Sequence, residues 1–140
     1  MKIKEAYEIL KEKGIRITPQ RQALLELFAD NKSYTARQVA EFLRPIYPGF
    51  SYDTVYRNLK LYCQLGLLTE TMAPDGVARY SLNTGQHQHY FICLSCGEKV
   101  ALNSCPIDEK RITLPRKVGT ITHHRIELFG ECKTCEEGKK

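Results

Sequence analysis

Ser51-Tyr-Asp-Thr-Val-Tyr-Arg-Asn-Leu-Lys-Leu-Tyr-Cys-Gln-Leu-Gly66 is the stretch whose reading decides the fold. Ser51 is a good helix N-cap and Gly66 a good terminator, so a helix over about residues 52–65 is expected. Val55, Leu59, Tyr62 and Cys63 recur at spacings of three and four, which makes one apolar stripe that must face a core. Asp53, Arg57, Lys60 and Gln64 fall opposite, with Tyr56 on the shoulder. Such a face suits the major groove of DNA. Arg and Lys reach guanine acceptors or phosphates, and Tyr offers a phosphate hydrogen bond or a thymine-methyl contact. A plain solvated helix face has the same composition, so residue type alone leaves both readings open.

The flanking segments give this helix a setting. Residues 3–13 put Ile3, Tyr7 and Leu10 on one helical face and end at Gly14. Thr18-Pro19 is an N-cap followed by proline at the first helical position, opening a helix that runs through Phe28 with Leu24, Leu27 and Phe28 apolar. Thr35 caps a third helix carrying Val39, Phe42 and Leu43, stopped before Pro45, and Tyr47-Pro48-Gly49 makes a turn. After the fourth helix, Leu67–Met72 and Val77–Leu82 flank Pro74-Asp75-Gly76, which reads as a hairpin. Helices followed by a small hairpin are the order of a winged helix-turn-helix. Arg16 and Arg21 flank the cap at Thr18 and are placed to add phosphate contacts, which helix N-termini also favour.

The chain has 140 residues, enough for one ordinary domain or two very small ones and too few for a large α/β enzyme. With 42% hydrophobic and 26% charged residues it should fold around a core rather than stay disordered. No apolar run approaches the roughly 18 residues that cross a bilayer, so no membrane partner is expected. The start, Met1-Lys2-Ile3-Lys4-Glu5, leads into no apolar stretch fit for a secretory signal, and a cytoplasmic protein is expected. The net charge of +5 permits a nucleic-acid partner. Through Leu82 there are 12 Lys and Arg against 9 Asp and Glu; the remainder has 9 against 7. Four thiolates on one Zn²⁺ would bring the second half to about zero, leaving the positive field on the first half.

All four histidines and five of the six cysteines follow residue 82. In a reducing compartment such cysteines hold metal more often than they form disulfides. Cys93-Leu-Ser-Cys96 and Cys132-Lys-Thr-Cys135 are two C-x-x-C knuckles, and two together make a closed tetrahedral four-sulfur site suited to Zn²⁺. Paired disulfides or a thioredoxin-like redox pair fit less well, because the motif is doubled and neither copy has a βαβ setting. A closed shell has no open position, so this zinc is structural. Cys63 lies on the apolar stripe as a small core residue. Cys105, in Ser104-Cys105-Pro106, is open to three roles: structural filler, a redox-sensitive thiol or an extra metal contact.

His87 and His89 are two apart in an expected strand and share one face. In a strand over 120–129, His124 alternates with Ile126 and Leu128 as an inward set, while His123 shares the solvent face with Arg125 and Glu127. Asp108 opens a helix expected to begin near Pro106. His87, His89, His124 and Asp108 would make a mixed nitrogen and oxygen site fit for Zn²⁺, Fe²⁺, Mn²⁺, Co²⁺ or Ni²⁺, unless the histidines are simply polar surface. A metal-dependent hydrolase is one alternative, but four protein ligands leave no place for a catalytic water, and no nucleophile or base stands beside the cluster. A zinc-ribbon module that binds only protein is another.

Several motifs together resemble the ferric uptake regulator (Fur) superfamily, which includes the zinc (Zur) and peroxide (PerR) regulators. They are Gly14-Ile-Arg-Ile-Thr-Pro-Gln-Arg21, Tyr47-Pro-Gly-Phe-Ser51, Thr54-Val-Tyr-Arg-Asn-Leu59, Leu65-Gly66-Leu67, His87-Gln-His89 before the first knuckle, and His123-His-Arg-Ile-Glu-Leu-Phe-Gly130 before the second. The resemblance covers nearly the whole chain. It implies an α+β protein: an N-terminal winged helix-turn-helix over 1–82, a hinge over 83–88, and a small C-terminal α/β dimerisation and metal-binding domain over 89–140. It also implies a homodimer that binds a palindromic double-stranded DNA operator in a metal-dependent way, usually as a repressor, with metal ions as its only small ligands. By position, Tyr56 and Arg57 match the family's recognition-helix readers and Arg16 its basic minor-groove contact. Cys93, Cys96, Cys132 and Cys135 match its structural zinc ligands. His87, His89, Asp108 and His124 match a second site for Zn²⁺, Fe²⁺ or Mn²⁺ in the dimerisation domain.

The sequence also departs from the family pattern. The sensing site between domains usually takes His three and five residues before the first knuckle, where this chain has Tyr90 and Gln88. The acid five residues after Cys96 is replaced by Ala101, and the hinge ligand falls at Leu82. No His exists in the N-terminal half to supply the remaining ligand. Sensing has then moved to the site of His87 and His89, or a one-residue bulge shifts those two into the sensing register, or the response to metal is weak. Peroxide sensing through the usual iron-bound His pair fits least.

Overall fold

The computed structural model describes residues 2–83, 89–116 and 118–138. The chain divides into two compact units, Met1–Gly85 and Gln86–Lys140. The hinge read over 83–88 lies almost wholly outside the described residues, and so does His87.

The first unit is a winged helix. Its helices are α1 (Ile3–Glu12), α2 (Pro19–Glu26), α3 (Ala36–Leu43) and α4 (Tyr52–Gln64). The caps read from the sequence carry the expected bonds: Thr18 Oγ1 accepts from the Arg21 amide at 3.2 Å, and Ser51 Oγ accepts from the Thr54 amide at 3.2 Å. Thr35 and Gln38 form a reciprocal capping box on α3. At the end of α4, Gly66 adopts φ +78°, with its amide bonded to the Cys63 carbonyl and that of Leu67 to the Tyr62 carbonyl. This is a Schellman closure, and only glycine takes that φ without strain.

Two details differ from the sequence reading. The second helix stops at Glu26, and Leu27–Asp30 tighten into a 3₁₀ turn closed by Asn31 at φ +60°. Phe42 stays 59% exposed on α3, edge-on to Tyr34, while Val39 and Leu43 are buried. The hairpin is β2 (Leu68–Met72) and β3 (Ala78–Leu82), in register from Leu68 opposite Leu82 to Met72 opposite Ala78. Asp75 shapes its tip, accepting from the Val77 amide and pairing with Arg79 at 3.0 Å. A two-residue strand, β1 (Tyr34–Thr35), adds to β3 and makes the sheet three-stranded. The core gathers Leu10, Leu24, Leu25, Phe28, Val55, Leu59 and Tyr62, all fully buried.

The second unit is a three-stranded sheet of order β5-β4-β6: β4 (Tyr90–Cys93), β5 (Lys99–Ala101) and β6 (Glu127–Gly130), with a short helix α5 (Lys133–Glu137) after it. The β4–β5 pair is antiparallel and the β4–β6 pair parallel. The strand expected over 120–129 is confined to its last part, because Glu127 already lies opposite Tyr90, the first residue of its partner. The His89 carbonyl accepts from the Leu102 amide at 2.8 Å, one residue pair beyond the β4–β5 ladder, so this bond faces β5 and not β6. The inward and outward sets are also revised, since Leu128 is 47% exposed and Glu127 half-buried. In place of a helix near Pro106, the described part of the crossover holds one 3₁₀ turn, Glu109–Arg111. Among the described residues, only Ile92 and Cys93 of this unit count as buried apolar core.

Candidate metal centres and nucleic-acid interface

Parallel pairing sets up the sulfur site. Because β4 and β6 run the same way, their C-terminal ends lie side by side, Cys93 opposite Gly130, and each strand leads straight into a knuckle. After β4 the chain turns through Gly97 (φ +81°), whose amide donates to the Cys93 carbonyl at 2.9 Å and so brings Cys96 back beside Cys93. After β6, Cys132 caps α5 and Cys135 sits in its first turn. Gly130 allows the close approach: a Cβ there would stand 3.1 Å from the Phe91 ring.

The four Sγ atoms all lie within 4.8 Å of one another, and the Cys93–Cys135 and Cys96–Cys132 pairs are each 3.7 Å apart. A zinc–sulfur bond of about 2.3 Å gives a tetrahedron with edges of about 3.8 Å, so the donor set fits Zn²⁺ as it stands. The amides of Cys132 and Cys96 also point at Cys93 Sγ, at 3.3 and 3.5 Å. Burial alone would raise the Cys93 thiol, but these amides overcome it and bring its pKa down to about 6. Cys135, crowded by the sulfurs of Cys132 and Cys93, is pushed up to about 12. One thiolate forms readily and further ones resist; a dication removes that resistance.

A second group of donors comes together in the same unit. His89 Nε2 lies 3.0 Å from His124 Nε2 and 3.3 Å from Cys105 Sγ, and Cys105 Sγ is 3.2 Å from His124 Nε2. The imidazoles stack with centroids 4.9 Å apart. His89 is 4% exposed and Cys105 is exposed. Of the four ligands inferred from the sequence, His89 and His124 stand together and His87 lies outside the described residues. Asp108 is outside the group: its carboxylate accepts from the Lys110 amide at 3.0 Å and faces Arg111 at 3.7 Å. His123 is exposed beside Thr122, as its place in the sequence suggested. Cys105 is the member that sequence reasoning left open; its only local signal was a cysteine between the two knuckles.

The helix face opposite the core is the third feature. On α4, Val55, Leu59 and Tyr62 are fully buried, while Arg57 and Tyr56 are exposed, Tyr56 stacked parallel to Tyr52. Lys60 is less free than the sequence suggests, because its ammonium pairs with Glu70 of β2 at 2.5 Å, a bond that raises its pKa. Arg21 is also engaged: its Nε donates to Asn58 Oδ1 at 3.2 Å and its Nη1 to the Arg16 carbonyl at 2.8 Å. It ties α2 to α4 and fixes the loop that carries the exposed Arg16. An open cleft of about 540 Å³ lies between the starts of these two helices, lined by Arg16, Thr18, Gln20, Pro48 and Thr54 among others. The exposed Arg16 guanidinium gives that cleft a positive charge of the kind that attracts phosphate.

The positions that depart from the expected sensing pattern have other occupations. Leu82 is 4% exposed in the first unit's core, Tyr90 lies under the Lys99 ammonium at 4.1 Å, and Ala101 is exposed on β5. Gln88 lies outside the described residues.

Comparison with known proteins adds an independent observation. The sequence model of the ferric uptake regulator family matches residues 12–129. A ferric uptake regulation protein of Staphylococcus aureus is 36% identical over 140 residues, covering 98% of this chain and all of the relative. The peroxide-responsive repressor PerR of Staphylococcus epidermidis is 34% identical, covering 96% of this chain and 91% of its own length. Among solved structures, a zinc uptake regulator complexed with zinc and DNA aligns over 98% of this chain and 94% of its own, at 26% identity and a TM-score of 0.68.

Proposed function

The chain belongs to the ferric uptake regulator family, whose members are metal-dependent DNA-binding transcription regulators and not enzymes, and on that premise we propose that it is a cytoplasmic repressor of metal-uptake or stress genes. It acts as a homodimer on a palindromic operator. The observation that carries this reading is α4: capped by Ser51, buried along Val55, Leu59 and Tyr62, and presenting Tyr56 and Arg57 outward beside a hairpin wing. Arg57 and Tyr56 read base edges in the major groove, and Arg16 contacts the backbone or minor groove. Arg21 serves by holding Arg16's loop and Asn58 in place, and Lys60 reaches DNA only by exchanging its bond to Glu70 for a phosphate.

The four cysteines hold Zn²⁺, which supplies rigidity and no chemistry. A second divalent ion at the histidines, Zn²⁺, Fe²⁺ or Mn²⁺ in type, supplies the signal. Its effect follows from differential affinity: an ion that binds better when the paired heads are correctly spaced shifts the population toward that arrangement. Half-sites about one helical turn apart then receive both recognition helices together. Operator binding by chelator-treated protein, restored metal by metal in a gel-shift series at fixed salt, tests this. Arg57→Ala should weaken operator binding by at least about tenfold with fold and zinc intact. Equal operator affinity with and without the second ion, at full occupancy of the sulfur site, would refute the switch.

A further inference from the structure

We propose that His89, Cys105 and His124 form a metal site with two imidazoles and one thiolate, and that Cys105, not Asp108, supplies its anionic ligand. This refines the second-metal part of the function proposed above. The three donor atoms form a triangle with sides of 3.0, 3.2 and 3.3 Å. Metal–nitrogen and metal–sulfur lengths of about 2.1 and 2.3 Å would let these three donors hold one ion together. The N–N edge of a zinc tetrahedron is about 3.4 Å, so the group opens by only a few tenths of an ångström on loading. Among the described residues, these three supply three of the four donors of a tetrahedral site.

The surroundings favour Cys105. The Leu102 amide bonds the His89 carbonyl at 2.8 Å, which anchors the start of the crossover to the residue carrying the first imidazole. Three residues later Cys105 Sγ arrives beside both rings, its thiol donating to the Ile107 carbonyl at 3.3 Å. Asp108 is committed elsewhere, to the Lys110 amide and Arg111, where it starts the 3₁₀ turn. The donor set has a chemical consequence. A thiolate with two imidazoles suits Zn²⁺ or Co²⁺, whereas Mn²⁺ prefers oxygen ligands, so this site discriminates against manganese.

Cobalt is the probe that reads this directly. Co²⁺ is added to full-length, reduced protein whose four-sulfur site is held by zinc. One equivalent should produce a sulfur-to-cobalt charge-transfer band in the near ultraviolet, reversed by Zn²⁺ and not by a similar concentration of Mn²⁺. Cys105→Ser should abolish the band, and Asp108→Asn should leave it at full intensity; Cys105 is exposed, and circular dichroism verifies that the variant is folded. The proposal is overturned if Co²⁺ does not bind, if it binds without the band, or if the band survives Cys105→Ser. Operator gel shifts on the same samples separate the two readings. A Cys105-dependent band in protein that ignores operator DNA sinks the regulator reading and upholds this one.

Discussion

Removing the zinc should unfold the second unit and leave the first standing. The reasoning begins with what else holds residues 89–138 together. Among the described residues the buried apolar side chains of this unit are Ile92 and Cys93, and Val100 and Leu128 are each 47% exposed. Burying one isoleucine contributes about 1.5–3 kcal/mol, against a conformational cost of about 1–2 kcal/mol for every ordered residue. A three-stranded sheet of such short strands does not balance that cost. A structural zinc site contributes about 10–16 kcal/mol in small zinc domains, several times the apolar term. Cys96→Ser, or chelation under reducing conditions that prevent Cys93 and Cys135 from oxidising, therefore leaves the unit without its main support. Hydrogen exchange with mass spectrometry provides the readout. Peptides over Tyr90–Cys93 and Glu127–Gly130 should lose protection as zinc is released, while those over α4 keep theirs. Native protection of β4 and β6 in zinc-free, reduced protein would refute the argument, because the apolar contacts would then suffice.

Other outcomes follow from the first unit. Ser51→Ala removes the cap of α4 and should lower stability by about 1 kcal/mol, seen as a fall of several degrees in the first unit's Tm. Arg21→Ala breaks the bonds to Asn58 and the Arg16 carbonyl and should cost about 1–3 kcal/mol in denaturant titrations. If Arg21 instead acts as a phosphate contact, the salt dependence of DNA binding will change and stability will not. Burial pushes the Cys63 thiol up to about 11 and the Tyr62 and Tyr80 phenols up to about 12. These groups favour the folded state while neutral, so their contribution is complete below the unfolded thiol value near 9 and is lost as pH rises through about 11 to 12. Tm should therefore stay level to about pH 9 and fall above it; an unchanged Tm at pH 11 would contradict the burial of these groups.

Much of the first unit was legible because its signals are local. A cap and the amide it accepts from are three residues apart, and the apolar period of a helix is written within a few turns, so Thr18, Thr35, Ser51 and Gly66 could be read directly. The hairpin was legible from its turn residues for the same reason. Phe42 was misjudged because spacing places it beside Val39 and Leu43 but does not say where the neighbouring elements end. The two-residue strand at Tyr34 carries no periodicity at all and exists only because β3 offers an edge.

In the second unit the knuckles were legible, since two cysteines three residues apart chelate through their own turn. The strand over 120–129 was overextended because the length of a ladder belongs to both partners, and β4 supplies only four residues. Asp108 matches a ligand on the family pattern; in the structure its carboxylate meets the Lys110 amide and Arg111, outside the group of His89, Cys105 and His124.

Residue order by itself determined the helices, their caps, the wing's turn and the chemistry of two thiolate pairs, because each rests on atoms a few bonds or one helical turn apart. Tertiary structure alone decided that parallel strands set the pairs at tetrahedral spacing, that Lys60 and Arg21 are bound inward, and that Cys105 stands with His89 and His124. Those outcomes depend on groups 10 to 42 residues apart along the chain. At such separations position is set by which strands pair and how loops close, and no local pattern encodes it.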